Sequence, residues 1–192
     1  QPFPHAGNSE TPSPRVPEIA GGETVTVPLY ASFNREVFST VGVTPLTGEI
    51  ILSYTYNGQP VEQRTSVTYD LYDKNSMSWD DDRKVACFVT AKNRDVLVLS
   101  RNVMSWMQDA ANPEVDENFQ KAMAIFEALK AYGIRYEIDP TTPFSEYSEN
   151  ATAVDFLQFP HQTLQYTNGD CDDLSVLYTS LLEAAGVETA FI

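Results

Sequence analysis

The sequence predicts an α+β protein, with a small antiparallel β-sandwich of immunoglobulin-like class ahead of a mainly helical region. Three observations predict it. From Glu23 to about residue 92, Val, Ile, Tyr and Thr recur with a period of two, which places alternate side chains on opposite faces of a strand. Asn57-Gly58 lies between two such runs, and because both residues tolerate positive φ the pair marks a tight hairpin. From about Asn93 apolar residues recur at three and four, the spacing of a buried helix face.

Residues 1–22 hold Pro2, Pro4, Pro12, Pro14 and Pro17 with Gly7, Gly21 and Gly22, a composition with too little apolar surface to order itself, and so a linker or tail. The β domain, 23–92, is built from runs at 24–31, 49–56, 61–72 and 84–90. It has no Cys-Trp-Cys arrangement, so the sandwich is an assignment of class only. Trp79 is followed by Asp80-Asp81-Asp82; consecutive carboxylates lack the alternate spacing of a calcium loop and suit a solvated turn. Cys87, inside Val85-Ala86-Cys87-Phe88-Val89, is expected in a strand core.

The second region, 93–192, opens with a helix carrying Val96, Leu97, Val103, Met104 and Met107. The next helix buries Phe119, Ala122, Met123, Phe126 and Leu129 and stops at Gly133. Ile134 to Asp139 reads as a short strand, Pro140 to Asn150 as a loop, and Ala151 to Gln165 as a short helix and turn. The last helix starts at Cys171 and ends at Gly186.

At 192 residues and 42% hydrophobic content the chain can bury one good core or two small ones, and no run is apolar enough to span a bilayer. With 27 acidic against 12 basic residues, the net charge is −15, which repels phosphate backbones and anionic lipid; no nucleic acid and no membrane insertion are expected. Two cysteines give no disulfide framework and no zinc-type spacing, so no metal or cofactor is expected. An acidic, two-cysteine module behind a Pro-rich leader fits an exported or envelope protein slightly better than a cytoplasmic one. Beginning at Gln1 and ending at a strand entry, the chain reads as part of a longer polypeptide.

The most informative run is Gly169-Asp170-Cys171-Asp172-Asp173-Leu174. Asp170 suits an N-cap, and Asp173 falls where a carboxylate can answer the cap's own N–H. Leu174, Leu177, Tyr178, Leu181, Leu182 and Ala185 form an apolar face that anchors the helix. Cys171 then sits in the first turn, where free N–H donors and the helix dipole favour thiolate and can hold an oxyanion. Asp170, Asp172 and Asp173 act in the opposite sense, so activation needs a nearby imidazolium. His161, ten positions earlier, is one candidate base; a turn histidine is the alternative. The alternative for Cys171 is a small buried hydrophobe at a helix start.

The segment GDCDDLSVLYTSLLEAAGVETAFI resembles the cysteine segment of bacterial transglutaminase-like domains, and Gln158-Phe159-Pro160-His161-Gln162-Thr163-Leu164 is similar to the stretch that precedes it there. The resemblance covers about Asp95 to Ile192. It implies the N-terminal part of a papain-like α+β core in which Cys, His and Asp act in that chain order through a thioester. Cys171 takes the nucleophile's position and Gln158 that of the polar group supporting the oxyanion. The family's His and Asp lie on strands after the cysteine helix and have no counterpart before Ile192.

The expected function is thiol-dependent acyl chemistry on peptide or amide substrates, as a cysteine peptidase or transamidase of the intact parent. The rivals are a non-catalytic scaffold or protein-binding module of the same fold, and a cysteine hydrolase that recruits His161. Asp155 reads as an N-terminal helix residue, the alternative being that it orders the Gln158 region. Without further strands, the apolar face of the cysteine helix is expected to be incompletely covered.

Overall fold

The structure is a computed structural model that describes residues 18–27, 33–109, 111–138 and 153–191. It divides into two compact units, Gln1–Lys74 and Asn75–Ile192. The leader through residue 17, the end of the 24–31 run and the 140–150 loop lie outside the described residues.

In the first unit, β1 (Val43–Tyr56) and β2 (Gln59–Tyr72) pair antiparallel from Val43↔Tyr72 to Tyr56↔Gln59. Asn57 at φ 50° and Gly58 at φ 75° make the turn, the two positive values that a two-residue hairpin loop with matching twist requires. A 3₁₀ turn at Arg35–Ser39 precedes it, capped by the Asn34 side chain, which accepts the Glu36 N–H at 3.0 Å.

No sandwich is present among the described residues: the hairpin is a two-stranded sheet, and residues 24–27 form no strand. The run at 84–90 is likewise no strand. Asp82–Phe88 is a 3₁₀ turn belonging to the second unit. Asp81 caps it by accepting the Arg83 N–H at 3.1 Å, and the i,i+3 spacing of Val85 and Phe88 puts both on one side of a three-residue turn, where they are buried. Cys87 therefore points to solvent instead of into a strand core.

The second unit contains α1 (Arg94–Gln108), α2 (Glu117–Tyr132), α3 (Pro160–Tyr166) and α4 (Cys171–Ala184) among its described residues. Two small sheets tie them together: β3 (Ser76–Ser78) runs antiparallel to β5 (Val154–Phe156), and β4 (Arg135–Tyr136) runs parallel to β6 (Asn168–Gly169). None of the described helices is long and apolar enough to cross a membrane.

Helix α4 is the centre of this unit because it is apolar on two sides. Leu177 and Leu181 join Val96, Val103, Ile125 and Leu164 in one core, while Val176 joins Met77, Val85, Phe88 and Leu157 in a second. Leu177, Leu181 and Leu182 are buried, while Leu174, Tyr178 and Ala185 of the same face are half-buried, so the apolar face is covered at its centre and partly open at its edges.

The buried side of α2 is not the aromatic one. Ile125 is buried, with Ala122, Ala128 and Leu129 packed beside it, whereas Phe119, Met123 and Phe126 are 59%, 53% and 61% exposed. The alanines let the backbone of α2 approach α4, and the Tyr178 hydroxyl donates to the Ala122 carbonyl at 3.0 Å. A large aromatic stripe on that side would hold the helices apart.

Candidate active site

Asp170 is extended and stops the preceding strand. Its Oδ1 accepts the N–H groups of Asp172 and Asp173, both at 3.1 Å, and Asp173 Oδ2 accepts the Asp170 N–H at 3.4 Å. Leu174 N–H bonds to the Asp170 carbonyl at 3.1 Å. Of the first four donors of α4, the Cys171 N–H alone is taken by no other residue among those described. The sequence-based reading of the cap therefore holds in detail.

The sulfur of Cys171 is at the surface, 3.6 Å from Asp172 Oδ1. Desolvation raises its pKa above the usual thiol value, and the charges of Asp172 and Asp170 raise it further; its own backbone N–H lowers it by less. The opposition expected between carboxylates and helix end is thus resolved towards the neutral thiol.

Gln158 is half-buried and reaches the same helix end through its backbone: its N–H donates to Asp173 Oδ1 at 2.7 Å. Its side-chain Oε1 is buried with no hydrogen-bond partner. Gln158 lines a small cavity of about 160 Å³ with Glu137, Ile138, Asn168, Gly169, Asp170 and Asp173. Cys171 is not among the lining residues, so the two share a helix terminus and not a cavity. A larger hollow of about 550 Å³ lies by Val89–Asn93 and Glu183, near the other end of α4.

Asp173 is the residue that joins these pieces, at 5% exposure. Burial pushes its carboxyl up to about 6; the N–H of Gln158 pulls it down, and the Asp170 charge adds to the rise. Asp172 is also raised, by desolvation first and then by Asp170 and Asp155. The ligand atoms of Asp170, Cys171 and Asp172 lie within 4.8 Å of one another, but three successive residues on one turn enclose no ion, and the Asp170 carboxylate is already committed to the cap.

A family-model scan, the curated proteins and the solved structures gave no match to this chain.

His161, the candidate base of the sequence analysis, makes a ring contact in place of a hydrogen bond to the thiol. Its ring stacks on Phe159 with centroids 6.1 Å apart, Phe159 stacks on Phe88 at 4.8 Å, and no hydrogen bond joins His161 to Cys171. The segment carrying Gln158 is fixed by groups that sequence reasoning missed. Asn75, 3% exposed, donates to the Leu157 carbonyl and to Gln162 Oε1, each at 2.7 Å. Gln162 Oε1 also accepts the Phe159 N–H at 2.8 Å. Trp79 Nε1 donates to buried Asp155 Oδ2 at 2.9 Å. Only Gln162, three residues into a Pro-initiated helix, carried a local signal; Asn75 and Trp79 are more than 70 positions from their partners.

Proposed function

We propose that this chain carries the cysteine half of a transglutaminase-like, papain-type site whose chemistry is acyl transfer from peptide or amide substrates. The observation that carries the reading is the exposed Cys171 sulfur on the first residue of a capped, buried helix, with its own N–H left over as an oxyanion donor. In this reading Sγ attacks the carbonyl carbon, a C–S bond forms, and the thiol proton passes through a base to the leaving amine as the C–N bond breaks. Water or a second amine then takes the acyl group from the thioester. The Cys171 N–H stabilises the oxyanion, with Gln158 beside the same helix end; such a donor is worth on the order of 3 kcal/mol. The base belongs, by the resemblance, to a strand after α4.

The substrate class is tested with p-nitrophenyl acetate at alkaline pH, where solvent ionises the thiol and the leaving group needs no proton, so acylation does not wait for the base. Mass analysis of proteolytic peptides should find the acetyl group on Cys171 in preference to Cys87, which is also exposed, and Gln158→Ala should slow it. Equal labelling of both thiols, unchanged by Gln158→Ala, refutes the reading.

A second reading is favoured by one observation, the upward shift of the Cys171 thiol with no imidazole bonded to it. It is a fold that retains the helix and binds protein without chemistry, and it expects equal labelling of the two thiols.

A further inference from the structure

The side-chain oxygen of Gln158 has no hydrogen-bond partner, so the amide stands where its backbone puts it, and that backbone is gripped at every step. The Leu157 N–H donates to the Asn75 carbonyl at 2.8 Å, the Gln158 N–H to Asp173 Oδ1 at 2.7 Å and the Phe159 N–H to Gln162 Oε1 at 2.8 Å. The Leu157 carbonyl accepts from Asn75 Nδ2 at 2.7 Å. Only the first of these is a main-chain pair, continuing the register of β3 and β5 one step past Phe156. Side chains make the other three.

Two side-chain amides form the centre of this grip. Gln162 Oε1 accepts from Asn75 Nδ2 at 2.7 Å as well as from Phe159, and Gln162 Nε2 donates back to Asn75 Oδ1 at 3.3 Å. A Gln at that helical position answers the cap N–H in a capping box; here its oxygen also serves a 3% exposed amide 87 positions upstream. Asn75 thereby uses both its donors and its acceptor. A polar pair satisfied in this way rigidifies what it joins, and what it joins is the backbone on either side of Gln158.

We propose that Gln162, with Asn75 behind it, is a positioning residue for the acyl chemistry, holding Gln158 beside the start of α4. The inference rests on the reading of Gln158 as support for the oxyanion. Placement matters because a donor aids the transition state only from a fixed position, and a displacement of about 1 Å can cost on the order of 100-fold in rate. Regular strand pairing stops at Leu157, so the two residues that follow depend on side chains for that precision. Asp173 also caps α4, which makes Gln162 the residue whose removal leaves the cysteine helix start intact.

Two reactions of the Cys171 sulfur separate positioning from fold, each followed in a Cys87→Ser background at alkaline pH. Acetylation by p-nitrophenyl acetate passes through an oxyanion, whereas alkylation by iodoacetamide displaces iodide from a saturated carbon and forms none. Gln162→Met keeps side-chain length and helix propensity but removes the acceptor for Phe159 and Asn75. It should slow acetylation several-fold, no further than Gln158→Ala does, and leave alkylation unchanged. Added to Gln158→Ala, it should slow acetylation no more than Gln158→Ala alone. Should Gln162→Met lack a cooperative urea transition, Gln162→Asn, which draws the acceptor back by one methylene, takes its place in both comparisons. Additive slowing in the double variant, equal slowing of both reactions, or wild-type acetylation in Gln162→Met while Gln158→Ala is slow each overturns the inference and leaves the oxyanion reading standing. Wild-type acetylation in Gln158→Ala removes the oxyanion reading, and the inference falls with it.

Discussion

Asp173 Oδ1 accepts the backbone N–H of Gln158 at 2.7 Å, and by that bond a residue fifteen positions upstream is fastened to the first turn of the cysteine helix. The same carboxylate completes the cap through the Asp170 N–H. It is buried, and its burial has a thermodynamic signature.

The Asp173 pKa is raised from 3.8 to about 6 in the folded protein, so between those values the folded state binds more protons than the unfolded one. Its contribution to stability is complete below about pH 4 and is lost as pH rises through 6, by up to roughly 3 kcal/mol. Asp173→Asn removes this dependence while still offering an amide oxygen to Gln158. Urea midpoints measured from pH 4 to 7 should show the variant gaining on the wild type as pH rises; parallel curves would contradict the assignment.

Removing a like charge beside the thiol should free it. Asp172 raises the Cys171 pKa through both its charge and its contact with Sγ, and it does not serve as the cap. Asp172→Asn should therefore speed Cys171 alkylation by iodoacetamide several-fold at pH 8 in a Cys87→Ser background. The ordering of the helix start, read from far-UV circular dichroism, should not change.

Gly169 lets a strand end meet a helix start at close quarters. A Cβ there would stand 2.6 Å from Asp173 Cβ and 3.3 Å from Thr163 Cγ2, and neither neighbour is the free end of a long side chain. Gly169→Ala should cost on the order of 1–3 kcal/mol in urea unfolding. It should also disturb the Asp173–Gln158 bond, seen as a change in the pH profile described above.

Trp79→Phe keeps a ring beside the second core but deletes the donor to Asp155 Oδ2. A buried carboxylate oxygen then loses the indole donor, at a cost of about 1–3 kcal/mol. The comparison with Asp155→Asn separates this loss from packing: the two changes should be strongly non-additive if the hydrogen bond is what each removes.

Local chemistry made parts of this protein readable. The hairpin followed from alternation around Asn57-Gly58, and the start of α4 from Asp170 and Asp173, because turns and caps depend on residues within a few positions of one another. The misreadings share a different cause. Val85-Ala86-Cys87-Phe88-Val89 has a strand's composition, but Asp81 caps it and the second core accepts only Val85 and Phe88. On α2, hydrophobicity pointed to Phe119, Met123 and Phe126, whereas close helix packing selected Ile125 and the alanines.

By itself the sequence determined which residues cap, turn and alternate: a hairpin at Asn57-Gly58, a helix beginning at Cys171, and a charge of −15 that disfavours polyanion partners. Only the tertiary structure decided what surrounds the sulfur. The raised thiol, the Gln158–Asp173 bond and the stacking of Phe159 on Phe88 all arise between segments far apart in the chain or from burial. Desolvation and long-range contacts depend on which surfaces meet, and periodicity along one chain does not specify that.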